Sequence, residues 1–372
     1  MQQSRKKARS KLSSWITKAL TNHESMSAFL EPAIQLFDSN WQSNGYQSKV
    51  IDIRNENEQV FTPVLQPQKN WPSFIAGQFI ELQVEINGTK YTRIFSLSSP
   101  PSYFKDNQLI ELTIRQQAQG KVTPWLAKLI SVGSSVRISA AQGDFVLPDL
   151  SQSEKQTILL IAGGSGITPF RSFIHHLADE FTNQDIHLIY YSHSIQPLFN
   201  KEWQALAEVM PNLKVHLIDT HSQGRITKEH VKHLCPDYIN RLIYLCGPHG
   251  LITTSREILL QSGVKAENIK HELFGPKPIA KLSHKTNGQV IFTRSEKQID
   301  FCAKNTNTLL ELAEAKNINP ISGCRMGVCH QCKCHKKQGV VYNTLTESYS
   351  DTGPEDIQLC VSLAVGEVSL DL

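Results

Sequence analysis

Between residues 46 and 147 short runs of alternating apolar and polar residues recur, in SKVIDIRN, FIELQVEING, TRIFSLSS, LIELTIRQ and SSVRISAA, each bounded by turn residues. Period-two runs predict strands with one buried face, and their number predicts a small antiparallel β-barrel. Within it TPWLAKLI predicts the one short helix, starting at Thr123 with Pro124 in the first turn, where a missing N–H costs nothing. Between 156 and 275 the rhythm changes. TILLIAGG, IHLIYYSH, LKVHLIDT, RLIYLCG and IKHELFG are nearly continuous apolar runs, separated by the helical patterns FRSFIHHLADE, NKEWQALAEV and SREILLQSG. Strands buried on both faces and alternating with helices predict an α/β parallel sheet. GPKPIAKLSHKTNG has linker composition and no apolar period. After it QVIFTRSEKQIDFCAK predicts a hairpin, and NTLLELAEAKN a helix that Thr306 or Asn307 caps. The chain therefore divides into a helical extension (1–45), a barrel (46–150), an α/β domain (151–275), a linker (276–286) and a final domain (287–372).

A length of 372 residues allows two or three domains, each with its own core. With 40% hydrophobic and 19% charged residues and a net charge of +4, no apolar run approaches the ~20 residues of a membrane span. No nucleic-acid partner is expected, and a monomer is. Eight cysteines without a secretory leader point to the cytoplasm and to metal or redox work rather than a disulfide framework. The N-terminus carries a second signal. Leu12, Trp15, Ile16, Ala19 and Leu20 form an apolar stripe beside Arg5, Lys6, Lys7, Arg9, Lys11 and Lys18. An interfacial helix, peripheral at the inner face of a membrane, is one reading, and a frayed tail or a helix packed on the body is the other.

The thiols carry the most specific pattern. Cys324, four residues, Cys329, two residues, Cys332, then a distant Cys360 is the plant-type [2Fe–2S] spacing, with Gly323 and Gly327 suiting a loop that turns its N–H groups toward sulfur. A four-cysteine zinc site is the alternative, although zinc ribbons usually present two short cysteine pairs. Cys302 and Cys334 fall outside the spacing and are expected as free thiols. The last eighty-odd residues, through the ending CVSLAVGEVSLDL, resemble a plant-type ferredoxin domain, which implies an α+β β-grasp fold.

A nicotinamide gives up two electrons together and such a cluster takes one, so a flavin is expected between them. RIFSLSSPP resembles the Arg-x-Tyr-Ser motif of the ferredoxin–NADP reductase superfamily. That resemblance implies Arg93 on flavin phosphate, Phe95 (replacing the usual Tyr) on the isoalloxazine, and Ser96 at the N5 edge. QGKVTPWL resembles the family's Gly-x-x-Ser/Thr turn, with Gly120, Val122 and Thr123 toward the pyrophosphate, and AQGDFVLP, with Gly143 and Phe145, its barrel-closing segment. LLIAGGSGITPF resembles the superfamily's own phosphate turn, through Gly163, Gly164, Gly166, Thr168 and Pro169, and lacks the Gly-x-Gly-x-x-Gly fingerprint. YLCGPHG resembles the Cys-Gly-Pro that closes the nicotinamide pocket, placing Cys246 near nicotinamide C4 with Gly247 and Pro248 beside it. Glu272 and Phe274 match the family's acidic and aromatic terminal strand. After the second α/β strand Ser192, His193, Ser194 and, further on, Lys201 offer hydroxyl and basic groups, with no acid, which favours NADPH.

The resemblance covers essentially everything from Tyr46 onward and implies an FAD barrel, an NAD(P)-binding domain and a ferredoxin in series. The expected activity passes hydride from NADPH to FAD, with Ser96 and Cys246 at the reacting centre. Single electrons then go through the [2Fe–2S] cluster to a protein acceptor docking near Arg325, Met326 and His330. Residues 29–99 resemble the reductases of membrane-bound fatty-acid desaturases. The reductase component of a Rieske-type oxygenase, and a non-catalytic redox-sensing module with a degenerate flavin site, are the alternatives.

Overall fold

The computed structural model describes residues 45–86, 89–118, 120–148, 157–180, 184–193, 197–274, 287–302, 307–327, 330–346 and 348–372. The N-terminal helix, the linker, Ser194, Thr306 and Cys329 lie outside them. Three sheets follow one another along the chain, in the expected architecture of antiparallel barrel, α/β parallel sheet and β-grasp domain.

The first sheet contains β1 (Tyr46–Asn57), β2 (Val60–Pro67), β3 (Phe79–Ile86), β4 (Thr89–Ser96), β5 (Ile110–Glu111), β6 (Ile114–Arg115) and β7 (Ser135–Ile138). Its order is β4-β3-β7-β1-β2-β5, with β6 also on β2. Two helices interrupt it, α1 (Pro101–Asn107) and α2 (Val122–Leu129), where the sequence pattern predicted one. Pro100 and Pro101 read as a turn, yet proline is at home in a helix's first turn, and α1 begins on Pro101. Helix α2 begins one residue before the predicted Thr123.

The second sheet is fully parallel. Its strands are β8 (Thr157–Gly163), β9 (Asp185–Ser192), β10 (Leu213–Asp219), β11 (Leu242–Gly247) and β12 (Ile269–Leu273), in the order β10-β9-β8-β11-β12. Helices α3 (Thr168–Asp179), α4 (Asn200–Val209), α5 (Lys228–Leu234) and α6 (His249–Gln261) connect them. Two separate apolar cores, one through Leu160 and Phe173 and the other through Leu159 and Leu259, flank the sheet, which is why its strands read as unbroken apolar runs. The chain turns left from β8 and later right to β11, so a crevice opens between the C-terminal ends of these two strands, the usual ligand position in such sheets.

The third sheet holds β13 (Gly288–Phe292), β14 (Lys297–Phe301), β15 (Lys333–Asn343), β16 (Ser348–Tyr349), β17 (Glu355–Gln358) and β18 (Ser362–Leu370). Strands β13 and β18 are parallel, and β18 and β15 antiparallel. Helix α7 (Leu309–Ala315) packs Leu309, Leu310, Leu312 and Ala313 into this domain's core. Its cap is Thr308, in place of the expected Thr306 or Asn307, because only Thr308 stands three residues before Glu311 and completes a reciprocal capping box.

The barrel and the parallel sheet share an aromatic seam. Phe145 lies between the rings of Phe173 (5.8 Å), Phe170 (6.0 Å) and Tyr244 (5.4 Å). Gly77, at φ +93°, permits this approach, since a Cβ there would fall 2.3 Å from the Phe173 ring.

Candidate active site and cluster loop

Strand β4 ends at Ser96 and strands β11 and β12 run side by side, with Cys246 registered against Glu272. The Ser96 hydroxyl donates to Glu272 Oε2 at 3.4 Å, joining the flavin motif to the terminal strand of the α/β domain. Burial pushes the Glu272 carboxyl up to about 7, with the Ser96 hydrogen bond opposing it. Burial also raises the Cys246 thiol well above its ordinary value, reinforced by the Glu272 carboxylate. Cys246 therefore sits as a neutral, fully enclosed thiol. Phe274 donates its backbone N–H to Gly247 O at 2.8 Å and packs against the core that holds Cys246.

The glycine turn is tight for a structural reason. A Cβ on Gly166 would stand 2.3 Å from Cys246 O, and one on Gly247 would stand 3.0 Å from Gly163 N. Bare backbone from β8 and β11 therefore meets at the crevice, with Gly164 at φ +55° and Pro169 in the first turn of α3. The Thr168 hydroxyl donates to Ser165 O at 3.0 Å, and Tyr190 Oη donates to Gly164 O at 2.9 Å. Arg115, at the end of β6, brings a guanidinium to this turn: its Nη1 lies 3.6 Å from where a Gly164 Cβ would be. The sequence reading left Arg115 unassigned because a charge at a strand end reads as solvated.

On the flavin side, the Gly120 N–H donates to Gln117 O at 2.7 Å and the Thr123 hydroxyl accepts the Gln117 N–H at 2.9 Å, closing the turn before α2. Val122 is buried and anchors that helix, and Phe95 packs against the barrel core. Gly143, at φ +111°, lies under the Phe79 ring. Arg93 behaves differently from its neighbours. Its Nη1 donates to Thr92 O at 2.7 Å and to Gly323 O at 2.8 Å, one residue before the first cluster cysteine. Burial, then the Arg325 charge, lowers this guanidinium to about 10.

At the C-terminal ends of β9 and β10 a pocket is lined by Ser192, Pro197, Asn200, Leu217, Asp219 and Gln223. The Thr220 hydroxyl lies 3.1 Å from Ser192 O and forms a 2.7 Å hydrogen bond with His193 Nδ1, tying the imidazole to the end of β10. The segment after β9 carries no acid, but the neighbouring strand supplies one. Asp219 registers directly against Ser192, a carboxylate supplied by the neighbouring strand that a scan of the β9 segment misses. Asp219 accepts the His221 N–H at 2.9 Å and the Ser222 hydroxyl at 2.9 Å.

In the third domain the Sγ atoms of Cys332 and Cys360 are 3.1 Å apart, and the Met326 N–H reaches Cys324 Sγ at 3.3 Å. Among the described residues no group of three or more His, Cys, Asp or Glu is arranged as a metal site. Cys329 lies outside those residues, and the three thiols described converge from the loop and the turn before β18 with an amide hydrogen on sulfur, a donor set that fits a [2Fe–2S] cluster. Cys334 is buried and contacts His335 O, while Cys302 is exposed.

The expected docking surface is partly occupied. Arg325 pairs with Glu314 on α7, and Gln331 donates to Glu81 Oε2 on β3 at 2.5 Å, so this loop is fastened to the flavin barrel. His330 remains exposed, and Ile321 beside the loop is 78% exposed.

Residues 50–147 match the oxidoreductase FAD-binding domain family, 160–257 the oxidoreductase NAD-binding domain family, and 292–365 the 2Fe-2S iron-sulfur cluster binding domain family. An NADPH oxidoreductase of Mycobacterium tuberculosis is 27% identical over 334 residues, 89% of this chain and 86% of the relative. A glycine betaine monooxygenase reductase subunit of Chromohalobacter salexigens is 25% identical over 72% of this chain and 78% of its own. An NADH oxidoreductase HCR of Escherichia coli is 27% identical over 87% of this chain and 97% of its own. Among solved structures, phthalate dioxygenase reductase, described as a modular structure for electron transfer from pyridine nucleotides to [2Fe-2S], superposes with a TM-score of 0.62. Its sequence is 22% identical, over 88% of this chain and 98% of that one.

Proposed function

From the premise that the chain belongs to the ferredoxin–NADP reductase superfamily as an NAD(P)H-dependent FAD and [2Fe–2S] electron-transfer reductase, we propose that it oxidises NADPH and supplies single electrons to an iron-dependent oxygenase or desaturase. The observation that carries this reading is the convergence of three sites on one barrel. Ser96 on β4 meets Glu272 from the nucleotide domain, and Arg93 and Glu81, on β4 and β3, hold the cluster loop at Gly323 and Gln331. Bound flavin supplies the conversion of a two-electron hydride into single-electron steps. The chain's residues do the rest. Gly163, Gly166 and Gly247 admit a dinucleotide to bare backbone, Cys246 and Phe274 close the pocket without bringing in water, and Glu272 holds a proton near neutrality within reach of the Ser96 hydroxyl.

Ser192 and the imidazole of His193, a hydroxyl and a basic group at the end of β9, support NADPH. Comparison of kcat/KM for NADPH and NADH in cytochrome c reduction tests this, and a strong NADH preference sinks the assignment and points to Asp219. For the acceptor, the relative that is a monooxygenase reductase subunit supports a soluble oxygenase component. The basic amphipathic N-terminal sequence supports a second reading, a desaturase lying in a bilayer. Among the described residues no helix is long and apolar enough to cross a membrane. Liposome co-sedimentation of the parent and of a variant lacking residues through Leu20 separates the two acceptors; equal sedimentation counts against the bilayer reading.

A further inference from the structure

Three residues beyond Thr168, helix α3 directs Arg171 into the seam with the barrel. Its Nη1 donates to Ser98 O at 3.0 Å and to Glu111 Oε2 at 2.6 Å, and its Nε donates to Glu202 Oε1 on α4 at 2.6 Å. The neighbouring Ser172 hydroxyl, fully buried, donates to Ser99 O at 2.8 Å. Both target carbonyls belong to the segment that follows the flavin motif, two and three residues after Ser96. The Glu111 carboxylate is not an independent partner either. Ser98 N donates to Glu111 O at 2.9 Å and Glu111 N donates to the Ser99 hydroxyl at 3.0 Å, so carboxylate and carbonyls move as one unit. On the other side Glu202 is gripped by His175 Nε2 at 2.6 Å, and the Arg171 guanidinium lies 4.8 Å from the Phe199 ring centre.

We propose that Arg171 and Ser172 are positioning residues for hydride transfer, locking the segment after the flavin motif to the helix after the nucleotide turn and so fixing the distance from nicotinamide to flavin. The inference rests on the proposed nicotinamide-to-flavin reaction. The chemistry of the seam argues for registration over adhesion. Adhesion is already provided by Phe145 among Phe170, Phe173 and Tyr244, whose apolar contacts hold the domains together but tolerate sliding. A planar guanidinium whose Nη1 is bound to both a carbonyl and a carboxylate while its Nε holds Glu202 has one good geometry and resists it. Ser96 is about 7 Å of extended chain from Ser98. A shift at Ser98 therefore reaches the reacting edge almost undiminished, where a misplacement of about 1 Å costs on the order of 100-fold in rate.

The test uses full-length holoprotein carrying Arg171→Met, Arg171→Lys or Ser172→Ala, mixed with whichever of NADPH and NADH reduces the parent faster. Arg171→Met is expected to lower the rate of flavin bleaching by about 10-fold to 100-fold. It should also change the isotope effect from 4-deuterated nucleotide and remove most of the long-wavelength nicotinamide–flavin absorbance, while flavin and iron content stay at parent levels. Arg171→Lys, which keeps the charge but not the fork, should recover part of that absorbance, and Ser172→Ala should show a smaller loss of the same kind. If Arg171→Met yields no soluble protein, Ser172→Ala decides. Parent-like absorbance and isotope effect in the variants, with only a lower melting temperature, overturn the positioning role and leave the proposed reaction intact. A parent reduced by neither nucleotide overturns both.

Discussion

Replacing Glu272 with Gln isolates the proton that the site holds near neutrality. The carboxyl is raised from 4.5 to about 7 by burial, against a weaker opposing pull from the Ser96 hydroxyl. At about 1.36 kcal/mol for each tenfold in proton affinity, that gap corresponds to a ceiling of roughly 3 kcal/mol. The sign follows from which state binds the proton more tightly. Folded Glu272 does, so its contribution is fully present below about 4.5, declines as pH rises, and is gone above about 7. His187 and His216 act oppositely, because burial pushes both imidazoles down and the fold keeps them neutral. Their contribution is complete above about 6.5 and is lost as pH falls. A stability profile of the parent alone mixes these trends across the same window, whereas the difference between parent and Glu272→Gln cancels the histidines. Hydrogen exchange of peptides covering β11 and β12, in flavin-free protein from pH 5 to 8, reads the local opening free energy. The parent's advantage over the variant should shrink by up to about 3 kcal/mol over that range. A difference that stays flat with pH refutes a carboxyl protonated near neutrality at this position.

Four further outcomes follow from particular contacts. Cys334→Ser should leave the visible absorbance of the cluster intact, whereas Cys329→Ser or Cys360→Ser should lose or alter it; the reverse result means the wrong thiol was assigned. Lys336 is fully buried and its ammonium donates to Gly339 O, Asp351 O and Gly353 O, so Lys336→Met should cost the ferredoxin domain roughly 3 kcal/mol, read as earlier bleaching of the cluster on heating. Gly166→Ala places a methyl group 2.3 Å from Cys246 O and should weaken nucleotide binding by at least about 10-fold in calorimetric titration, with unchanged affinity disproving the close approach. His187 is held neutral by burial and then by the Arg241 charge, so His187→Gln should flatten the loss of stability below about pH 6.5 seen by circular dichroism; an unchanged acid limb assigns that loss elsewhere.

What the sequence could and could not reveal divides along the range of the interaction. Parallel strands β8 to β12 were legible because burial on both faces writes unbroken apolar runs, and the turns at Gly163–Gly166 and Cys246–Pro248 because backbone approach demands glycine at fixed spacing. Strand β2 was not legible. Pro63 and Pro67 inside VFTPVLQP argue against a central strand, yet β2 pairs with β1 and β5, with Pro63 set opposite Ile53. Helix α5 also escaped, since KEHVKHL has only Val231 buried and almost no apolar stripe. At the candidate site the motif residues Ser96, Cys246 and Glu272 lie together, whereas the contacts that support them are not written in the motifs.

Asp219, Arg115, Glu81, Gln331 and Arg171 are all polar residues whose local surroundings in sequence read as solvated. Each acquires its meaning from a segment 27 or more positions away in the case of Ser192 and Asp219, and 250 positions away for Glu81 and Gln331. The same holds for Arg93. Its motif pointed to flavin phosphate, and the fold adds the carbonyl of Gly323, 230 residues downstream. A periodicity cannot encode such pairs, because they are fixed only when separately folded layers are pressed together. A motif in this chain therefore identifies which group each domain binds, whereas the coupling between groups is carried by charges at the seams, where double-mutant measurements on Glu81 with Gln331 and on Arg171 with Glu111 should show interaction energies that distant surface pairs lack.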